Sequence, residues 1–159
     1  MAKLEFRNNN PGNIRYNPKI KGVTGRSPGG FSIFRTYWHG LFALKSLLTR
    51  SYIGKGYNTI SKIIYKYAPP VENDTEKYIR NLVTWTGWNR DRILTPQDLN
   101  ILIPAIVRQE TSKKITPEDM AIADRIGAGE EPGAPISAGL SKFLSFFGIG
   151  SLLFWLFRK

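Results

Sequence analysis

An uncharged apolar run of fifteen residues, Phe143 to Phe157, lies beyond a stretch rich in Gly, Pro and Ala. The run is shorter than the roughly 20 residues that cross a bilayer, but counting further back, with Lys142 at the interface, lengthens it to about 22. We therefore expect a folded body over residues 1–126, a flexible linker over 127–139 and a membrane-anchoring hydrophobic helix over 140–159. A helix that docks in an oligomer or capsid groove is the alternative.

Positive charge is concentrated in the first half of the chain. The net charge is +11, and residues 1–70 carry twelve Lys or Arg against one acid, Glu5. Such a field favours an anionic polymer as the partner, either peptidoglycan or nucleic acid. An ordinary soluble basic surface would have the same composition.

The residue types exclude several kinds of site. The chain has no Cys, and His39 is its single histidine. Thiolate metal sites, cysteine nucleophiles and His-rich zinc sites are therefore excluded, and we expect no metal and no cofactor. A lone histidine of this kind is more often structural than catalytic. The first ten residues lack the apolar run of a signal peptide, so ordinary export is not expected.

Apolar spacing predicts a mainly α, α+β body with a short N-terminal β and loop region. Residues 8–30 are rich in Asn, Gly and Pro, which is typical of loops, and a strand is expected within residues 31–36. Helices are predicted over residues 38–53, 60–67 and 74–86, and after two Thr-Pro-x-Asp signals at Thr95 and Thr116, the last helix ending at Gly127.

Glu110 is the most informative acid. It continues the apolar stripe of its helix, at spacings of three and four from Ile106 and Val107. An apolar setting keeps a carboxylic acid protonated near neutral pH, which is what glycosidic cleavage requires of its general acid. The alternative is that the side chain simply reaches solvent at the end of the helix.

A second unusual segment contains four asparagines within six residues, Asn8, Asn9, Asn10 and Asn13, followed by Arg15. Side-chain amides both donate and accept hydrogen bonds, which suits the acetamido and hydroxyl groups of amino sugars. Asx turns around the intervening Pro-Gly are the structural alternative. Both explanations are open at this point.

Glu72 follows two prolines and precedes a helix start. It could bind substrate, serve as a second catalytic carboxylate or interact favourably with the helix dipole. From the residue alone, the dipole explanation is favoured.

Several motifs together resemble a family of small phage and prophage virion proteins that are called structural or lytic. The resemblance covers about residues 6–112 and depends on these segments: Asn8–Arg15, Gly30–Thr36 with Gly40 and Ala43, Thr59–Ile64, Tyr67–Thr75 and Tyr78–Ile79. That family is regarded as lysozyme-like. Its Asn-rich motif is also similar to the segment that follows the catalytic glutamate in bacterial glucosaminidases.

The segment Ile103–Ser112 is similar to the apolar helix, ending in Glu-Ser, that bears the acid of lytic transglycosylases. No helix long enough to carry a catalytic acid precedes the Asn-rich motif, in contrast to glucosaminidases. The resemblance therefore implies a permuted arrangement, in which Glu110 takes the place of the acid and the Asn-rich segment packs beside it. It further implies Asn73, Thr75 and Tyr78 as substrate-binding residues.

These features predict a virion-associated cell-wall hydrolase that cleaves between N-acetylmuramic acid and N-acetylglucosamine, as a lytic transglycosylase or a muramidase. The expected partners are peptidoglycan, a membrane through the C-terminal tail, and other virion proteins. The expected location is the virion, at an internal phage membrane or at the host envelope. The alternative is a non-catalytic virion protein that binds peptidoglycan or nucleic acid. A DNA-binding protein is disfavoured because many aromatic residues lie on apolar helix faces.

Overall fold

The computed structural model describes residues 8–132. A loop that contains the Asn-rich segment leads into two short antiparallel strands, β1 (Val23–Arg26) and β2 (Ser32–Phe34). Arg15 forms an isolated bridge with Phe31 and so attaches the loop to the start of β2. Gly30 adopts a positive φ of 80° in the turn between the strands, a conformation that glycine reaches without strain.

Helix α1 (Tyr37–Leu47) begins at Thr36, whose hydroxyl accepts a hydrogen bond from the backbone N–H of His39. The expected single helix over 38–53 does not stay α-helical to its end. It continues as a wider π turn over Leu48–Tyr52 and a tighter 3-10 turn over Ile53–Lys55. The widened turn keeps Leu48 and Tyr52 buried.

Helices α2 (Ile60–Tyr67) and α3 (Thr75–Thr86) confirm the predicted pair around the two prolines. Asp74 caps α3 by accepting from the backbone of Lys77, and Gly87 closes it in a left-handed conformation. Both end signals are therefore the ones that the sequence predicts.

The last two helices are α4 (Leu99–Thr111), after a 3-10 turn over Pro96–Asp98, and α5 (Pro117–Gly127). Capping boxes at Thr95 and Thr116 precede them, and in each the acid three residues later accepts from the backbone of the threonine. Because each box satisfies otherwise unpaired backbone N–H groups, both starts are fixed by local sequence.

One core joins the helices and the N-terminal loop. Its fully buried side chains come from β2 and from all five helices, and include Phe34, Leu41, Leu44, Ile63, Ile64, Leu82, Leu102, Ile103 and Ile126. Gly40 of α1 lies directly against the backbone of Asn9, so close that a Cβ there would overlap the Asn9 carbonyl oxygen. The small residue thus lets the Asn-rich loop sit directly on the helix.

The predicted mainly α class, with a short β region near its N-terminal end, is confirmed. Within residues 8–132, none of the helices combines the length and the apolar character that crossing a membrane requires. The predicted hydrophobic helix over 140–159 and most of the predicted linker lie outside the described residues. The domain boundaries therefore stay predictions, although α5 ends at Gly127 as expected.

Candidate functional site

Glu110 lies in the last turn of α4, half-buried, and both of its carboxylate oxygens accept hydrogen bonds. Asn13 donates from Nδ2 to Oε2 over 3.0 Å, and the Tyr78 hydroxyl donates to Oε1 over 2.8 Å. These residues come from the Asn-rich loop, from α3 and from α4. The predicted packing of the Asn-rich segment beside Glu110 is confirmed.

The loop around Asn13 has an unusual backbone that its sequence explains. Asn13 adopts a positive φ of 45°, which Asn tolerates better than most residues. The carbonyl of the preceding residue, Gly12, accepts a hydrogen bond of 2.7 Å from the hydroxyl of Tyr67. Tyr67, at the end of α2, therefore fixes the loop through its backbone at Gly12, and the side chain of the next residue, Asn13, contacts Glu110.

Two tyrosines contribute hydroxyl donors, the buried Tyr78 to Glu110 and the partly buried Tyr67 to the carbonyl of Gly12. Burial raises the pKa of the Tyr67 hydroxyl well above its ordinary value, and the nearby Glu110 carboxylate raises it further. Burial, followed by the neighbouring Tyr67 and Glu110, likewise raises the pKa of Tyr78. Both hydroxyls therefore stay protonated at neutral pH, as hydrogen-bond donors. We refer to Glu110, Asn13, Tyr78 and Tyr67 as the Glu110 cluster.

The other asparagines serve the loop itself. Asn10 is 1% exposed, and its Nδ2 donates to the carbonyls of Ile14 and Ser32 while its Oδ1 accepts from the backbone of Ile14. Asn9 donates to the carbonyl of Phe34, and Asn8 is buried. The hydrogen bonds of Asn9 and Asn10 and the burial of Asn8 favour the structural explanation for these three residues. Asn13 is the asparagine that contacts the Glu110 carboxylate.

Arg15 is exposed at the edge of the sheet. Its guanidinium donates to the carbonyl of Gly29 over 3.2 Å and lies 4.5 Å from the centre of the Phe31 ring. These contacts hold the side chain across the β1–β2 turn. No contact joins it to Glu110.

The second predicted acid does not join the cluster. Glu72 is exposed in the turn before α3, and its side chain forms no hydrogen bond or ion pair with another residue of the described range. Asn73 is exposed in the same turn, and its side-chain amide donates a hydrogen bond to the carbonyl of Pro69. Thr75 is buried and donates to the carbonyl of Ala68. Of the residues proposed from this segment, Tyr78 alone contacts Glu110.

His39 is buried, and its Nδ1 lies 2.8 Å from the Thr36 hydroxyl. Burial lowers its pKa, although Glu131 acts in the opposite direction. This setting suits a neutral structural histidine at the start of α1. Across residues 8–132 no group of three or more His, Cys, Asp or Glu side chains is arranged to hold a metal ion.

Glu110 lines neither of two concave surfaces on the described residues. An apolar groove of about 650 Å³ runs between α4 and α5, and Ile101, Pro104 and Arg108 contribute to its wall. At about 100° per residue, Glu110 lies on the opposite face of α4 from that wall. The second is a hollow of about 460 Å³ formed by Tyr57, Ser61, Lys62, Tyr65 and Lys66. We refer to it as the Lys66 hollow.

Neither the Lys66 hollow nor the role of Tyr67 is predicted by the sequence. In the hollow, the Lys66 ammonium lies 4.0 Å from the centre of the Tyr57 ring and 5.5 Å from that of Tyr52. The available signal was the mixture of Lys and Tyr in residues 52–67. Composition alone did not tell which aromatic rings would be buried.

No protein-family model matches the chain. A comparison with curated proteins finds 31% identity over 123 residues to Protein P5 of Pseudoalteromonas phage PM2, covering 69% of this chain and 71% of that protein. The chain belongs to the P5 family. Membership in the P5 family confirms the phage part of the predicted resemblance. The lysozyme-like part stays a prediction.

Proposed function

We propose that this member of the P5 family is a virion-associated protein that binds the glycan of peptidoglycan at the Glu110 cluster and cleaves it, with Glu110 as the general acid. The observation that carries the proposal is the junction at Glu110. A carboxylate at the end of an apolar helix is joined there by an amide and by a protonated phenol from two other parts of the chain.

The amide of Asn13 is the mobile partner in this scheme. Asn13 is exposed, so its side chain can turn from Glu110 to the acetamido group of a bound sugar. Tyr78 is 5% exposed and keeps its hydrogen bond to Oε1 of Glu110, which fixes the orientation of the carboxyl group. In cleavage, a protonated Glu110 gives its proton to the glycosidic oxygen as the bond from the sugar carbon to that oxygen breaks.

A single carboxylate favours the transglycosylase version of the reaction. An inverting hydrolase needs a second carboxylate at about 6.5–9.5 Å to activate water. Glu72 is exposed in the turn before α3, and no hydrogen bond ties its carboxylate to the Glu110 cluster in the way that such a role would require. In a transglycosylase a hydroxyl of the substrate itself attacks the sugar carbon and returns its proton to Glu110, so one acid is sufficient.

The charge distribution supports the choice of polymer. Excess cations in residues 1–70 attract the anionic cell wall. The C-terminal apolar run would hold the protein at a membrane of the virion or of the host envelope, and the linker would let the body reach the wall.

A second function is favoured by one observation. Both oxygens of Glu110 already accept hydrogen bonds from within the protein, as a carboxylate that only fastens the loop to α4 would do. In that case the protein is a virion component that binds peptidoglycan, or nucleic acid, without cleaving it. A fold by itself does not decide between the two.

The test compares the full chain with Glu110→Gln and Glu72→Gln on purified sacculi, with soluble products resolved by mass spectrometry. We expect anhydro-muramyl products from the unchanged protein and from Glu72→Gln, and none from Glu110→Gln. Sacculi that retain the protein but release nothing would establish the binding function. Release that survives Glu110→Gln and stops in Glu72→Gln would move the acid to Glu72.

A further inference from the structure

The Lys66 hollow carries positive charge that the described residues leave unneutralised. Lys62 and Lys66 are exposed, and neither ammonium forms an ion pair with an acid of the described range. The acid near the hollow is Glu76, which accepts from the Tyr65 hydroxyl but is also held by the guanidinium of Arg90 over 2.9 and 3.0 Å. Two lysines therefore face a concave surface without a counter-ion from the protein.

The Lys66 hollow is connected to the Glu110 cluster through Tyr52, because the Lys66 ammonium lies 5.5 Å from the Tyr52 ring and the Tyr52 phenol is close enough to Tyr67 to raise its pKa. Lys66 and Tyr67 are consecutive at the end of α2, so they point about 100° apart around the helix axis. Tyr67 supports Gly12 of the Asn-rich loop, whereas Lys66 covers the rings of Tyr52 and Tyr57. A polymer lying across the end of α2 would contact both places.

We propose that the Lys66 hollow is a second subsite of the same polymer, which takes a sugar residue bearing a carboxylate. The inference depends on the proposed recognition of peptidoglycan. The hollow has a volume of about 460 Å³ and is open to solvent, as a subsite for one unit of a long polymer would be. Lysine ammonium groups suit the carboxylates of a muramic acid residue and its peptide.

The aromatic rings favour a sugar over a nucleic-acid base. Single-stranded nucleic acids bind where bases stack on open aromatic faces. A face of Tyr57 is already covered by the Lys66 ammonium, and Tyr52 is buried. The hydroxyl of Tyr65 donates a hydrogen bond to Glu76. What the hollow offers is ammonium groups beside apolar ring edges, which matches a carboxylated sugar ring.

The test measures binding of the full chain to two soluble probes by calorimetry at low salt. One probe is a disaccharide-tetrapeptide muropeptide, and the other is chitotetraose, which has similar sugar rings without carboxylates. We expect Lys62→Gln with Lys66→Gln to weaken muropeptide binding about tenfold and to leave chitotetraose binding unchanged. The matched control removes two charges elsewhere, through Lys19→Gln with Lys77→Gln, and should weaken muropeptide binding less than about twofold.

Equal weakening by the two pairs of substitutions would overturn the inference, since net charge alone would then explain binding. Tighter binding of oligothymidylate, lost in the Lys62 and Lys66 variant, would overturn it in favour of nucleic acid. Failure of cleavage is distinguishable, because the binding assay needs no catalysis. If sacculi stay intact while muropeptide binding still depends on the two lysines, Glu110 is not a catalytic acid, but the proposed subsite is retained.

Discussion

Tyr78→Phe removes one hydroxyl from the Glu110 cluster and leaves the ring in place. Tyr78 is 5% exposed, and its hydroxyl is 2.8 Å from Glu110 Oε1. A hydrogen bond to a charged group contributes about 1.5–3 kcal/mol to the free energy of unfolding. Because Glu110 is only half-buried, water replaces part of the lost bond, and we expect a loss of about 1–2 kcal/mol.

The assay is urea unfolding followed by tryptophan fluorescence. With a urea dependence of about 2 kcal/mol per molar, the midpoint should fall by roughly 0.5–1 M. The matched control is Tyr65→Phe, which removes a 2.6 Å hydrogen bond to Glu76 at an exposed position and should shift the midpoint less. Muropeptide release should also fall in Tyr78→Phe, because the carboxyl group loses the donor that orients it.

A double-mutant cycle with Glu110→Ala tests the reasoning directly. Tyr78 and Glu110 share one bond, so the two changes should be less than additive. Additive effects, or equal midpoints for Tyr78→Phe and Tyr65→Phe, would refute the idea that this bond holds the site together.

Three further predictions concern the surroundings of the site. Gly40→Ala places a Cβ against the backbone of Asn9 and should destabilise the fold by about 3 kcal/mol, seen as a lower thermal midpoint, with muropeptide release falling as the loop is displaced. Asn10→Ala leaves buried backbone groups without partners and should cost about 2–4 kcal/mol by urea unfolding, whereas an unchanged midpoint would mean that water replaces the amide. The guanidinium of Arg90 lowers the pKa of Glu76 to about 2 from its usual 4.5, so the stabilisation from this pair is present above pH 4.5 and is lost as pH falls towards 2. Glu76→Gln should abolish that part of the pH dependence of the urea midpoint.

Local signals in the sequence predicted most of the helical frame. The boxes at Thr95 and Thr116, the cap at Asp74 and the glycine at position 87 each act within a few residues, so their outcome does not depend on the rest of the chain. The π turn after α1 was missed, because it depends on how Leu48 and Tyr52 meet the core and not on local propensity.

The candidate site was predictable only in part. The apolar stripe on α4 correctly indicated where Glu110 would emerge, and the resemblance indicated the loop beside it. Which asparagine would reach the carboxylate depended on the left-handed turn at Asn13 and on support by Tyr67, both of which are tertiary features. Glu72, close in sequence to Tyr78, forms no hydrogen bond with the cluster, because it lies in the exposed turn before α3 whereas Tyr78 lies on the buried face of that helix.

The hydrogen bond between Asn13 and Glu110 joins residues that are 97 positions apart. Contacts of such long range form late in folding, because a large loop must close before they are made. The pairing therefore exists only once the two ends of the body have met. A nascent or partly unfolded chain would lack the assembled site. Amide hydrogen exchange in the Asn-rich loop would show when the Glu110 cluster has formed.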